Sequence, residues 1–465
     1  MNSKLKISVF CFTFLGVLLF LFSAGVFSLY TSDTSFFQQY FEDKTMRVDY
    51  YHTADKTSEL FSLDKIYQQG IWAGNPENVL DGFDNGSYYI KIYHVDSGTL
   101  IYSKGFTSYC SEYMTTDMAA QGIKRTYHET ALLPFPKEKI KFTIERRDRK
   151  NILHPVFQQI IDPKSIEISK ESLLDGVTVT EIIKNGDAHD KVDLAFIAEG
   201  YTLAEKDKFI QDMKNITDLF FKHEPYQSNR HLFNVYGVFK ASLESGTDQP
   251  VEGIYKNTVV GSTFNALGLD RYNLTEENRM IRDIAAHAPY DALIIMVNSS
   301  RYGGGGIYNA YCLFTTNPEK HSYLLLHEFG HSFGGLADEY YAATVAYNEF
   351  YPLGIEPTEP NITALLNPTQ LKWKSFCTKD IAIPTPWDKD NFDNKMNPRQ
   401  KKLHLANPKF KGKIGAFEGA GYATNGFYRP AVDCLMFSST LQPYCSVCAA
   451  AVTRMIHFYA PEKKK

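Results

Sequence analysis

The chain has 465 residues, more than one hydrophobic core usually organises, so it should divide into two or three domains, and a single small module is excluded. Apolar residues at 44% and charged residues at 22% exclude a largely disordered, collagenous or coiled-coil chain. Lys+Arg 49 against Asp+Glu 53 gives a net charge of −4, which offers no general positive field, so no nucleic-acid partner is expected.

Lys4 and Lys6 precede an uncharged run from Ile7 to Phe22, and the small residues Ser23, Ala24, Gly25 and Ser28 follow. A basic start, a short apolar segment and small residues at its exit form the pattern of a secretory signal peptide, assigned to residues 1–28. The run is shorter than the ~20 residues of a membrane-spanning helix, so no stable anchor is expected after cleavage. The expected location is secreted, periplasmic or on the cell surface.

Residues 29–150 alternate apolar and polar positions in short runs, as in Tyr88 to Tyr93, Thr99 to Tyr102 and Lys141 to Glu145. Turn signals such as Asp84-Asn-Gly86 and Asp96-Ser-Gly98 separate the runs, which predicts an antiparallel β-sandwich. This accessory domain either contacts glycans or partners, or serves as a scaffold packed on the second domain.

Residues 151–465 follow a different pattern. Val192 to Ala198, Phe233 to Phe239 and Asp291 to Val297 read as buried strands, with helices near Glu205 to Phe221 and Glu276 to Ala286 between them. Strand, helix, strand, helix, strand implies a mixed sheet covered by helices.

The chemistry is concentrated in His327-Glu328-Phe-Gly-His331. Residues four apart on a helix share one face, so both imidazoles can reach one Zn2+ while Glu328 flanks the water it activates. Gly334 and Gly335 can then turn the chain back, which makes Asp338 the candidate third metal ligand, although Glu339 is adjacent and equally acidic. Two histidines and one carboxylate leave a fourth position open, as in catalytic rather than structural zinc sites. Glu328 is placed to act as the catalytic general base. In metzincin-type sites the third ligand lies six residues after the second histidine; that position here is Ala337, and Asp338 is one later.

Met436, before a predicted helix from Cys448 to Tyr459, fits the methionine turn beneath such a site. Gly303 to Gly306 are not a phosphate loop, since no Gly-Lys-Ser/Thr follows. They predict an exposed edge strand from Ile307 to Phe314, with Gly305, Gly306, Ile307 and Tyr308 the candidates to meet an extended substrate. Tyr422 and Tyr428 are candidate donors to an oxyanion. Six cysteines remain after the leader: Cys110, Cys312, Cys377, Cys434, Cys445 and Cys448. One close C-terminal disulfide is expected, since three of the six fall between Cys434 and Cys448; a zinc-ribbon reading of Cys445-Ser-Val-Cys448 lacks a second ligand pair, with only His457 following, and stands behind a structural disulfide or buried thiols.

The stretches His327 to Tyr340, Phe417 to Tyr422, Tyr428 to Met436 and Cys445 to Cys448 resemble the secreted bacterial zinc metallopeptidases named after an IgA-cleaving member, metallopeptidase family sixty-four. Thr45 to His52 and Gly70 to Gly74 look like that family's leading β-domain. The resemblance implies His327, His331 and Asp338 as zinc ligands and Glu328 as the base. It implies no substrate, and nothing in the chain encodes a preference for immunoglobulin hinges.

The sequence thus predicts an α+β, multidomain protein: an N-terminal antiparallel β-sandwich followed by a metzincin-like α/β zinc peptidase domain acting on a protein or peptide. Two rival readings stand beside it: a surface binding protein with a structural or idle zinc site, and a zinc amide hydrolase acting on peptidoglycan peptides.

Overall fold

The computed structural model describes residues 34–316, 321–341, 350–439 and 443–461. The expected signal peptide, residues 1–28, lies outside the described residues. Among the described residues no helix is long and apolar enough to cross a membrane.

A short helix α1 (Ser35–Tyr40) leads into β1 (Phe41–Ala54), which pairs antiparallel with β2 (Glu59–Gln69) and β5 (Arg125–Pro136). A second antiparallel sheet has the order β4-β3-β6-β7, from β3 (Tyr88–His94), β4 (Leu100–Phe106), β6 (Ile140–Arg147) and β7 (Leu153–Ile161). Their facing sides share one core, with Val48, Tyr50 and Leu133 from the first sheet against Ile92, Phe142 and Ile144 from the second. The boundary expected at residue 150 falls between β6 and β7 of this same sheet, which runs on to Ile161. Most of β7 is exposed or half-buried, so it carries little of the apolar alternation that marks its neighbours.

The second sheet system has the order β12-β13-β11-β9-β10-β8, built from β8 (Thr178–Ile183), β9 (Val192–Glu199), β10 (Phe233–Phe239), β11 (Ala292–Val297), β12 (Gly304–Ile307) and β13 (Tyr311–Thr315). The four inner strands are parallel, and β8 and β12 close the edges antiparallel. Along β9, Leu194, Phe196 and Ala198 face helices α4 (Lys206–Phe220), α6 (His321–Ser332) and α9 (Ser446–Tyr459). Ala195 and Ile197 face the other way, toward α5 (Asn278–Ala285). Burial on both faces explains why these strands read as continuous apolar runs.

The N-terminal sheets pack on the α5 side. Ala54 and Tyr127, with Tyr109 and Tyr113 of α2 (Tyr109–Tyr113), join Ile197, Ile284 and Val297 in one cluster, and α3 (Asp117–Ala120) adds Ala119. Arg47 on β1 is fully buried there and pairs with Asp49 at 2.7 Å and with Asp283 of α5 at 2.5 Å. A buried guanidinium is tolerated only when so paired, so these contacts fix the orientation of the sandwich on the sheet. Beyond α6 the chain forms α7 (Lys389–Asn394), α8 (Pro398–Leu405) and the hairpin β14 (Phe417–Ala420) and β15 (Ala423–Arg429) before α9.

Candidate metal centre

Helix α6 is apolar through Tyr323 to Leu326, which buries it against the sheet. Its i,i+4 spacing sets His327 and His331 one above the other, with Nε2 atoms 3.2 Å apart. The helix ends at Gly334 and Gly335. Gly335 has a φ of +60°, a left-handed conformation that glycine adopts without a Cβ clash. The chain returns beneath the helix and brings Asp338 Oδ1 to 3.1 Å from His327 Nε2 and 3.2 Å from His331 Nε2.

These three atoms form a nearly equilateral triangle. A tetrahedral zinc with ligand bonds of ~2.0–2.1 Å has ligand-to-ligand edges of ~3.3 Å, so the triangle matches one tetrahedral face. Asp338 Oδ1 is buried and accepts no hydrogen bond, which suits an atom whose lone pairs face a cation. The donor set of two imidazoles and one carboxylate therefore fits a zinc ion.

Both rings are fixed through their other nitrogen. His327 Nδ1 lies 3.2 Å from the Leu435 carbonyl and His331 Nδ1 lies 2.7 Å from the Leu336 carbonyl, so each Nδ1–H donates and each Nε2 is turned toward Asp338. Asp338 Oδ2 accepts from the Tyr422 hydroxyl at 2.6 Å. Ala337, at the position where metzincin-type spacing would set a ligand, is clamped instead. Asn361 accepts from its N–H at 2.8 Å and donates to its carbonyl at 2.9 Å, and the next side chain along points at the histidines. Glu339 turns away and meets Cys448 at 3.0 Å, which separates the two adjacent acids by geometry.

Burial pushes the Glu328 carboxyl above its ordinary value, and Asp338 adds to this against the two histidines. Burial alone would lower His331, but the Asp338 carboxylate overrides it and raises the imidazole to about 9. The same imidazoles hold Asp338 well below the usual carboxylate range in spite of its burial. The triad is thus a strongly paired acid and base cluster.

His327, Glu328, His331 and Asp338 line a cleft of about 430 Å³. One wall comes from the N-terminal sheets, including Arg146 and Arg147, so the first domain shapes the space in front of the triad. Asn85 of that domain also donates to the Gly335 carbonyl at 2.9 Å. A second cavity of about 320 Å³ lies between the sandwich and α5 and is lined by none of the four.

Met436 is fully buried in a turn directly under α6, where a Cβ added to Gly330 would meet its sulfur at 2.9 Å. Its carbonyl accepts from Glu339 N at 2.9 Å, which ties this turn to the loop of Asp338.

The strand expected at the sheet edge differs from its prediction. The outermost strand is β12, and β13 with Phe314 is internal. Gly304 bridges to Tyr272, and the Tyr308 carbonyl accepts from Thr107, so β12 is covered at both ends. Ile307 and Tyr308 are buried. Gly304 and Gly306 border the cleft, but their missing side chains face α6.

The two tyrosines also separate. Gly421 and Tyr422, at φ +58° and +64°, form the tip of the β14-β15 hairpin, the two positive values of a type I′ turn. Gly421 N donates to the Asp338 carbonyl and Tyr422 N to the Tyr340 carbonyl, both at 3.0 Å, so the tip is stitched to the loop of the triad. A tyrosine in the left-handed region is uncommon, and here it delivers its hydroxyl to Asp338. Tyr428 instead pairs with Thr363 and packs beside Leu371 and Trp373, away from the cleft. Tyr422→Phe is expected to weaken zinc retention by ~10–100-fold with little change in unfolding temperature. Competition against a chromophoric chelator measures this, and unchanged affinity would remove Tyr422 from the site.

Tyr340, Tyr323, Arg271 and Tyr302 escaped sequence reasoning. Tyr340 stacks on His327 with planes 14° apart, and the Tyr323 hydroxyl lies 3.4 Å from His327 Nδ1. Arg271 and Tyr302 line the cleft from loops. Tyr323 and Tyr340 lay beside the motif but have no special spacing; Arg271 and Tyr302 gave no local signal.

A family model described as IgA Peptidase M64 matches residues 180–456, and one described as Peptidase M64 N-terminus matches residues 36–158. No curated protein matches the chain.

Proposed function

Because the chain belongs to peptidase family M64, and is therefore a metallopeptidase with a protein substrate, we propose that it is an exported zinc endopeptidase centred on His327, His331, Asp338 and Glu328. The observation that carries this reading is the triangle of His327 Nε2, His331 Nε2 and Asp338 Oδ1 with Glu328 beside it on an open cleft.

A zinc ion held by these three residues supplies Lewis acidity toward an attacking water and the scissile carbonyl. Glu328 takes the proton of the water and hands it to the leaving amine; a carboxyl raised by burial is suited to both halves of that transfer. Leu435 and Leu336 keep both imidazoles in the ligating tautomer, and Tyr422 keeps Asp338 aimed. The backbone of Gly304 and Gly306, where it borders the cleft, is the segment offered to an extended substrate. The glycine turn after α6 and the methionine turn beneath it support a metzincin-like build, and the N-terminal segment supports export. The sandwich acts as scaffold and cleft wall.

Digestion of a peptide library by the full-length protein is expected to yield cuts at ordinary α-peptide bonds that stop with chelator and return with zinc. Release only from cell-wall fragments would favour the peptidoglycan hydrolase. Absence of cleavage of either by zinc-loaded protein would return the chain to the binding-protein reading.

A further inference from the structure

The expected C-terminal disulfide is absent from the structure. All six described cysteines are free, and the sulfurs of Cys434 and Cys448 stand 3.8 Å apart, far beyond the ~2.05 Å of a covalent bond. Three of these thiols and one carboxylate converge instead. Ligand atoms of Glu339, Cys434, Cys445 and Cys448 all lie within 4.8 Å of one another. Three of the four residues are buried and Cys445 is half-buried.

We propose that Glu339, Cys434, Cys445 and Cys448 form a second, structural zinc site, separate from the triad of His327, His331 and Asp338. The geometry supports it. A tetrahedral ion with metal–sulfur bonds of ~2.3 Å sets its sulfurs ~3.8 Å apart, and Cys434 and Cys448 have that separation. Glu339 Oε1 lies 3.0 Å from Cys448 Sγ and accepts from Asn361 at 3.1 Å. Glu339 Oε2 is buried and has no hydrogen-bond partner, although its residue is wholly inaccessible. A buried carboxylate oxygen without a donor is suited to a cation, and the nearby buried Arg429 turns both of its terminal nitrogens to the carbonyls of Glu418, Gly419 and Val432.

The surroundings are those of thiolate ligands. Cys445 N donates to Cys434 Sγ at 3.2 Å, the type of bond that orients a ligating sulfur. Cys445 caps the N-terminus of α9 and Cys448 sits in its first turn, where helix amides favour negative sulfur. Three sulfurs and one carboxylate close the coordination sphere, which is the mark of a structural rather than catalytic ion. A disulfide between any two would leave the third sulfur unpaired and Glu339 Oε2 still without a hydrogen-bond donor.

Such an ion would clamp three segments that the mechanism needs in register. Glu339 follows Asp338, Cys434 lies two residues before Met436, and Cys445 and Cys448 begin α9. The site would therefore hold the loop of the triad against the methionine turn.

The test uses the purified full-length chain and zinc alone. Elemental analysis is expected to give two zinc ions per chain, and a double variant His327→Ala, His331→Ala is expected to keep one. X-ray absorption at the zinc edge of that variant should show sulfur neighbours at ~2.3 Å. Adding Cys434→Ser to it should remove the remaining ion; if that variant does not fold, the absorption spectrum of the double variant decides alone. Loss of all zinc from the double variant, or a disulfide among Cys434, Cys445 and Cys448 in unreduced peptide mapping, would overturn the proposal. Neither readout depends on peptidase activity, so failure of this site and failure of the functional reading are told apart.

Discussion

Glu328→Gln is expected to lower kcat for peptide hydrolysis by ~10³-fold while zinc content and unfolding temperature stay at the parent values. The amide keeps the shape of the side chain but cannot accept the proton of an attacking water. Glu328 is not a corner of the triangle of His327, His331 and Asp338, the proposed ligands, so metal retention should not depend on it. The raised carboxyl gives a second signature. A base whose proton is held above the ordinary carboxylate range must lose it before acting, so kcat/KM of the parent enzyme should fall on the acid side as Glu328 becomes protonated. Steady-state kinetics on a quenched fluorescent peptide, with elemental analysis of the same samples, measures both. A variant that cuts as fast as its parent would refute the assignment of the base.

The second large effect is expected at Gly306→Ala. A Cβ at this position would lie 2.1 Å from the carbonyl oxygen of Glu328 and 3.0 Å from Cβ of His331, well inside the ~3.5 Å of a relaxed contact. The obstacle is backbone of α6, so strand and helix must separate. Overpacking of this kind costs ~1–3 kcal/mol in stability. A shift of ~1 Å between catalytic groups costs ~10²-fold in rate, so kcat/KM should fall more steeply than the melting temperature suggests. Gly82→Ala serves as the control, since nothing lies within 4 Å of its added Cβ. Thermal unfolding and peptide hydrolysis of both variants would check this; equal behaviour would mean that β12 and α6 tolerate separation.

The sequence and the structure agree where the controlling physics is local. The continuous apolar runs became β9, β10 and β11 because strands buried on both faces need apolar residues at every position. The spacing of His327 and His331 sufficed to bring their Nε2 atoms together, because an α-helix repeats its face after four residues regardless of the rest of the fold. Edge strands carry no such mark, and β7 has no apolar alternation to show because much of it is in contact with water.

What the chain alone determined is therefore the helix with two imidazoles and a carboxylate on it, the buried strands around it and the β-rich first domain, all written in short-range patterns: a repeat of two or four residues, or an unbroken apolar run. Only the tertiary structure set Asp338, and not Glu339, beside the two histidines, a placement that rests on Asn361 clamping Ala337 from another segment. Only it brought Tyr422 to the triad and left Tyr428 outside, and gathered Glu339 with three cysteines. Those pairings join residues far apart along the backbone, and local spacing holds no information about which loops will fold back against each other.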